Sequence, residues 1–345
     1  MPKAGLFAAL LLLATPRQPL AQTVTPQTSN TTRLLVGLHP VNERVVWASG
    51  AGGTFLRTTD GGVHWQAGVV PGAEMVQFRD VHATDSLTAW LLSIPSGDSA
   101  RIYHTTDGGA HWTLQFQNHD PAAFYDCFAF WDHHRAIAIS DAVGGRVPIL
   151  LTEDGGAHWN LLPQTAQPAA DSGEGSPAAS GTCVVAHGRG SAWLGTISGT
   201  QGARVLRTTD GGRSWKSAVT PIGHNAPGAG IFTLVFRDAR RGFAAGSGDS
   251  TKSPTGRVAS TADGGRTWHL TGDPSFKGTV YGLETVPGRP RTLLATGPGG
   301  SSISSDDGRT WTPLDAANHW TIAFATARTG WMVGPGGRIS LIVLP

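Results

Sequence analysis

Apolar residues in this chain come in short runs separated by Gly- and Asp-rich turns. The first four runs are Leu34 to His39, Val45 to Ser49, Thr54 to Thr58 and Trp65 to Val70. Each has the length of a strand and is bounded by residues that favour turns. Nothing in the pattern suggests a long helix. The turn between the third and fourth runs is the octad Thr58-Thr59-Asp60-Gly61-Gly62-Val63-His64-Trp65, and near-copies of it return five more times: Thr105 to Trp112, Thr152 to Trp159, Thr208 to Trp215, Thr261 to Trp268 and Ser304 to Trp311. Every copy reads hydroxyl residue, any residue, Asp, turn residue, Gly, two residues, Trp.

Asp-Gly-Gly is a hairpin signal, because Gly accepts the positive φ of a tight turn and an Asp carboxylate can bond backbone N–H groups a few residues on. The Trp that closes each octad opens the next strand and has the area to wedge the turn against its sheet. The closing residues Trp65, Trp112, Trp159, Trp215, Trp268 and Trp311 are 47, 47, 56, 53 and 43 residues apart, the spacing of propeller blades. The octad resembles the Asp box of sialidases, sortilin-type receptors, xyloglucan-degrading enzymes and photosystem II assembly factors. Asp60, Asp107, Asp154, Asp210, Asp263 and Asp306 are therefore read as structural. One carboxylate per blade, occupied by its own turn, is neither a calcium site nor a catalytic pair.

Four strands, a to d, fit around each octad. Equivalent b strands are marked by Trp47, Trp90, Ile137, Trp193, Phe243, Leu294 and Trp331, so seven b strands stand against six octads. The expectation is an all-β, seven-bladed β-propeller with four-stranded antiparallel blades. The seventh blade runs Trp320 to Phe324, Gly330 to Gly334 and Arg338 to Val343, with no strand d after it. An unpaired edge is a liability, and residues 23 to 32 are the available donor for an overlap closure.

Composition sharpens this picture in two places. Met1 to Ala21 reads as a secretory signal peptide, with Lys3, an apolar run from Ala4 to Ala14, and Pro19-Leu20-Ala21 before Gln22. The expectation is an exported protein, periplasmic or extracellular, whose residues 22 to 345 form one propeller domain with no membrane span. Without Lys3 and Arg17 of that segment, 24 basic residues face 24 acidic ones. A near-zero net charge gives no support to a coat for nucleic acid or anionic lipid.

In this topology the c-to-d and a-to-b turns share one face, and the b-to-c and d-to-a loops share the other. The two longest loops, Pro163 to Gly181 and Ser247 to Gly256, fall on the second face, as flexible surface or as binding loops. An Arg recurs where strand c leaves that face. Arg101, Arg204 and Arg257 each stand six residues before the octad Asp, Arg146 lies two residues earlier, and Arg338 follows Gly336-Gly337. Two readings stay open for these five: an incomplete ring that recognises anionic or protein partners, or local pairing with acids of neighbouring blades.

The run Gly202 to Trp215, in which strand c leads into Thr-x-Asp-Gly-Gly-x-x-Trp, resembles the photosystem II assembly and stability factors, a family of seven-bladed propellers with an Arg-rich patch. The resemblance spans the mature chain. It implies a non-enzymatic docking or assembly protein with a protein partner, no cofactor and no metal.

The rival is a glycan-binding or glycan-cleaving, sialidase-like propeller. A retaining sialidase needs a Tyr nucleophile with a Glu partner, and other glycosidases need two facing carboxyl groups. The only tyrosines are Tyr103, Tyr125 and Tyr281. Tyr103 precedes an octad, at the wrong end of a strand, and Tyr281 and Glu284, three apart in an extended strand, point to opposite faces. Asp80, Asp126 and Glu284, near the starts of strands a, could supply acids or bond neighbouring backbone. His64, His111 and His158 are turn residues in separate blades, and no spacing resembles a zinc site. Cys127 and Cys183 share a register in adjacent blades. Two buried thiols are expected, with a disulfide as the alternative if the Cα atoms approach within about 7 Å.

Overall fold

In a computed structural model the described residues are 22–176, 179–197, 202–223, 229–248 and 255–345. The expected signal peptide, residues 1 to 21, lies outside them, as does most of the Ser247 to Gly256 loop. The described residues form seven four-stranded antiparallel sheets. In the first blade the strands are Leu35–Pro40, Val46–Gly50, Thr54–Thr58 and Gln66–Val69. Five more blades repeat the order a-b-c-d. Strand d shrinks to two residues, Asn160–Leu161 and His269–Leu270, in the third and fifth. The seventh sheet contains Thr321–Phe324, Thr329–Val333 and Ile339–Val343, and its outer strand is Thr23–Gln27 from the start of the chain, with Thr25 opposite Leu341. Among the described residues no helix is long and apolar enough to cross a membrane.

The core lies between the sheets. Each of the seven interfaces has its own buried cluster, as where Trp47 and Phe55 of blade one meet Phe78, Val81, Leu91 and Tyr103 of blade two. A flat strand face covered by the next blade explains why strand b is apolar at nearly every position. The strand-b tryptophans also fix the angle between blades. The indole N–H of Trp90 donates to Gly155 O and that of Trp193 to Gly264 O, each inside the octad of the following blade.

All six octads close with the same four hydrogen bonds. In the first, Thr58 Oγ1 donates to Asp60 Oδ1 (2.8 Å) and accepts from Gly62 N (2.9 Å), His64 N donates to Asp60 Oδ1 (2.9 Å), and the His64 ring meets Asp60 Oδ2 (2.7 Å). At the fourth, fifth and sixth octads a hydroxyl of Ser214, Thr267 or Thr310 replaces the imidazole. The backbone N–H and ring of His111 hold the Asp107 carboxyl down at about 2, and the hydroxyl and N–H of Thr310 do the same to Asp306.

Around the axis the blades are joined by a second set of contacts. One column of strand a holds Gly37, Asp80, Cys127, Cys183, Thr233, Gly282 and Thr321. Asp80 Oδ2 accepts from Phe128 N of the next blade at 3.1 Å, Thr233 Oγ1 accepts from Leu283 N at 3.1 Å, and Thr321 Oγ1 donates to Val36 O. Where the column holds Gly, the hydroxyl comes from strand b. Ser49 Oγ reaches Phe78 O (3.3 Å) and Thr296 Oγ1 reaches His319 O (3.2 Å). A Cβ on Gly37 would lie 2.3 Å from Ser49 Oγ, so the bridge requires the glycine. Between blades four and five Thr182 Oγ1 donates to Thr233 Oγ1 at 2.8 Å.

Between blades three and four the bridge is a disulfide, Cys127–Cys183, with Cα atoms 6.0 Å apart. This corrects the expectation of two free thiols. Neighbouring inner strands approach more closely than the estimate for two thiols assumed, and a Cα separation of 6.0 Å lies within the bridgeable range.

Candidate functional site

The structure places the five predicted arginines where b-to-c and d-to-a loops meet, and each guanidinium is bonded to a loop. Arg101 donates from Nε to Asp98 O (2.5 Å) and from Nη1 to Gly72 O (3.3 Å), across the interface with blade one. Arg146 bonds Gln167 O (3.1 Å) and Arg338 bonds Asn318 O (2.8 Å). Arg257 pairs with Asp273 at 2.6 Å. Arg204 is the most enclosed: it pairs with Glu174 at 2.5 Å and Asp171 at 3.5 Å and also bonds Ala169 O, all in the loop before its own blade. The Glu174 side chain is only 1% exposed. Each arginine thus braces a d-to-a or b-to-c loop, and the five are spread over five blades. Their remaining exposure faces the loop side, where Arg338 is the most open. In the loop leading into blade two, Met75 stands 94% exposed, three residues after Gly72, whose carbonyl Arg101 braces.

Sequence reasoning missed a tighter ring at the mouth of the axial channel on this same face. In blades one, two, three and five the a–b pairing skips one residue, a β-bulge, at Val36, Arg79, Asp126 and Phe232. By the same count Thr182, Tyr281 and Trp320 hold that place in blades four, six and seven. The ring is divided. Phe232 stacks on Tyr281 (5.7 Å between centroids) and Tyr281 meets Trp320 edge-on (5.1 Å), giving a half-open aromatic arc over three successive blades. Opposite it stand Arg79, 8% exposed, and Asp126, fully buried. Arg79 donates from Nη2 to Gln77 Oε1 at 3.3 Å, while its Nε and Nη1, and both Asp126 oxygens, have no partner among the described residues.

Burial dominates the electrostatics here. It pushes Asp126 well above the carboxylate range, with Asp141 adding to the rise and Arg79 opposing it, and it lowers Arg79 to about 10. Arg79 therefore keeps its charge at neutral pH, while burial works against charge on its neighbour Asp126. The only sequence signal for this ring was a one-residue slip in strand a. That slip is invisible until the register of strand b is known.

The long Pro163 to Gly181 loop behaves differently from a flexible surface segment. Its end crosses the channel mouth: Ser180, fully buried on the approach to blade four, donates from Oγ to Tyr281 O of blade six at 2.8 Å. A Cβ on Gly181 would lie 2.1 Å from Asp80 Oδ1 of blade two, so only glycine lets the chain pass here. Earlier in the loop, Ser176 N donates to Asp141 Oδ1 at 2.6 Å.

The other acids near the axis are tied to backbone. Asp80 accepts from Val81 N and Phe128 N, and burial raises it to about 8. Glu284 accepts from Thr285 N and is raised by burial to about 7. Tyr103 accepts from Arg101 at 3.2 Å on the loop side of its strand, and Tyr125 packs edge-on against Phe116.

Neither a family profile nor a curated protein matches the chain. Solved structures do. The chain is similar to YCF48 bound to a D1 peptide (18% identity, 96% of this chain and 97% of that one, TM-score 0.66) and to YCF48 from Cyanidioschyzon merolae (18%, 93% and 99%, TM-score 0.67). It is also similar to the GH74 xyloglucanase from Xanthomonas campestris (16%, 93% of this chain and 53% of that one, TM-score 0.63). At these identities the likeness is one of fold alone.

Proposed function

We propose that this chain is an exported, non-enzymatic docking propeller that holds a polypeptide partner on the face carrying the b-to-c and d-to-a loops. The carrying observation is that this face is prebuilt. Five strand-c arginines fasten its loops to one another, so a partner meets a surface whose ordering cost is already met. Met75, almost wholly exposed on that face, supplies the adaptable apolar contact that recognition surfaces favour. The likeness to a YCF48 propeller bound to a peptide supports the reading. Export rests on the Met1 to Ala21 pattern and on a disulfide, which belongs to oxidising compartments.

The test is affinity purification from the native host with the wild type and with the double variant Met75→Asp/Arg338→Glu. Arg338 is chosen because among the described residues its guanidinium bonds only a carbonyl, that of Asn318, whereas reversing Arg204 would strand Glu174. The expected outcome is a partner recovered with the wild type and lost with the variant at unchanged melting temperature. Equal recovery from both would refute docking on this face.

A further inference from the structure

We propose that the octad face, on the side away from the docking loops, is a pairing surface for a second copy of this chain, the two copies meeting face to face about a twofold axis. The observation that carries this is a division of charge. Over the octads and the a-to-b turns, the latter taken with the first three residues of strand b, the net charge with His neutral is −1, −2 and −2 in blades one, two and three, and +1, +2, +1 and +1 in blades four to seven. Acids such as Glu43, Asp85 and Glu153 gather on one half of the face, and Arg189, Arg240, Arg266 and Arg309 on the other. The halves thus carry −5 and +5, and the face as a whole is neutral. A uniformly acidic or uniformly basic partner covering it would lose on one half what it gained on the other. A second copy gains on both.

The order of the blades decides how the copies meet. Successive blades are neighbours around the ring, and blade seven packs against blade one. In a ring of seven, a half-turn about an axis lying in the face and passing through blade seven lays blade one over blade six, two over five and three over four. The charges that then meet are −1 with +1, −2 with +2 and −2 with +1, and only blade seven meets its own kind. Such a contact closes at two copies.

Shape adds a second observation. Leu87, 51% exposed, stands in the a-to-b turn of blade two. Between the a-to-b turns of blades five and six lies a cavity of about 340 Å³, lined by Val286, Pro287 and Pro290 with Arg237, Arg241 and Arg289 around them. The half-turn that pairs the charges sets blade two over the blade-five side of this cavity, so Leu87 is the apolar group presented to it. Part of the arginine charge is already taken, since Arg213, Arg237, Arg241 and Arg291 each hold an acid of their own chain. Arg240, Arg266 and Arg309 are exposed and pair with no acid among the described residues. They are the groups left for a partner. Paired copies turn their loop faces outward, and neither Met75 nor Arg338 takes part, so pairing and docking stand or fall separately.

The experiment is sedimentation equilibrium of the purified protein over a range of concentrations, at about 0.02 M and about 0.5 M salt. A reversible dimer is expected at low salt, weakened about tenfold or more at high salt, where exposed charges are screened from one another. Two variants at exposed positions test the orientation. Arg240→Glu/Arg266→Glu makes blade five acidic, and Thr84→Lys/Thr106→Lys/Ala110→Lys makes blade two basic. Each alone should be monomeric, and the two mixed should form a mixed dimer, because acidic blade five then faces basic blade two. Leu87→Ser should weaken the wild-type dimer by a smaller factor than salt does, and Met75→Asp/Arg338→Glu should dimerise like the wild type. A wild type that is monomeric at low salt would overturn the proposal, and its binding of polyglutamate, lost in Arg240→Glu/Arg266→Glu, would give the arginine half to an acidic partner instead. A dimer indifferent to salt, or a mixture no more associated than its parts, would overturn it equally.

Discussion

At the c-to-d rim, six turns are held by one repeated set of four hydrogen bonds. Around the axis, seven interfaces are bridged by several unlike chemistries: a hydroxyl from strand b at two, a hydroxyl from strand a at three, a carboxyl at one and a disulfide at one. The difference comes from where each bond closes. An octad closes within seven residues, so any copy of the sequence rebuilds it. An inner bridge closes between blades, and any pair of atoms that spans the gap will serve. The rim therefore repeats, while the axis diversifies. Diversity at the axis is what leaves room for Arg79, with its unpartnered nitrogens, and for an aromatic arc.

The comparison can be broken first at its seam, where a strand from the chain's start closes the ring. Deleting residues 22 to 32 exposes the edge of Ile339–Val343 and takes Gln27 from the Trp65 indole, which it accepts at 3.0 Å. A loss of melting temperature of about 10 °C is expected in calorimetry. An unchanged transition would mean the strand contributes nothing to closure.

Next in size is the covalent bridge. Replacing Cys127 and Cys183 together by Ala should cost about 5 °C, and peptide mapping without reductant should recover the two cysteines in one linked fragment. Free thiols in the purified protein would remove the disulfide from the inner set.

Smaller, and more telling, is uniformity at the rim. Thr208→Val and Thr261→Val each delete a hydroxyl that accepts from a glycine N–H and donates to an Asp. Each should cost about 2 °C, and the two values should agree. The inner hydroxyls Ser49 and Thr233, changed to Ala, should scatter, because one is single-bonded and the other serves two neighbours. Scatter at the rim and uniformity at the axis would reverse the reading.

The smallest effect is in pH. Asp80 and Glu284 have folded values raised by burial to about 8 and about 7, so between their unfolded values and these the folded state holds the extra protons and stability falls as pH rises. His39 and His319, lowered by burial to about 4, act in the opposite sense, but only below their ordinary value near 6.5. From pH 6.5 to 8 the acids act alone, and the melting temperature should decline. In Asp80→Asn that decline should shrink; an undiminished slope would assign it to other groups.

The sequence by itself determined the repeat, the strand count per blade, the seven blades and the octad turns, because each is written in contacts a few residues apart. Thr58, Asp60 and Gly62 find one another whatever surrounds them. It also located the five strand-c arginines, though not that each would be bound to a loop, since the acids they meet, Glu174 and Asp273, lie in other segments. Only the tertiary structure decided the disulfide, the bridge column, the passage of Ser180 and Gly181 over the axis and the ring of Val36, Arg79, Asp126, Thr182, Phe232, Tyr281 and Trp320. These depend on one-residue bulges and on blades packing at a fixed angle. A single-residue slip changes which side chain faces the axis without changing the apolar pattern that announces a strand.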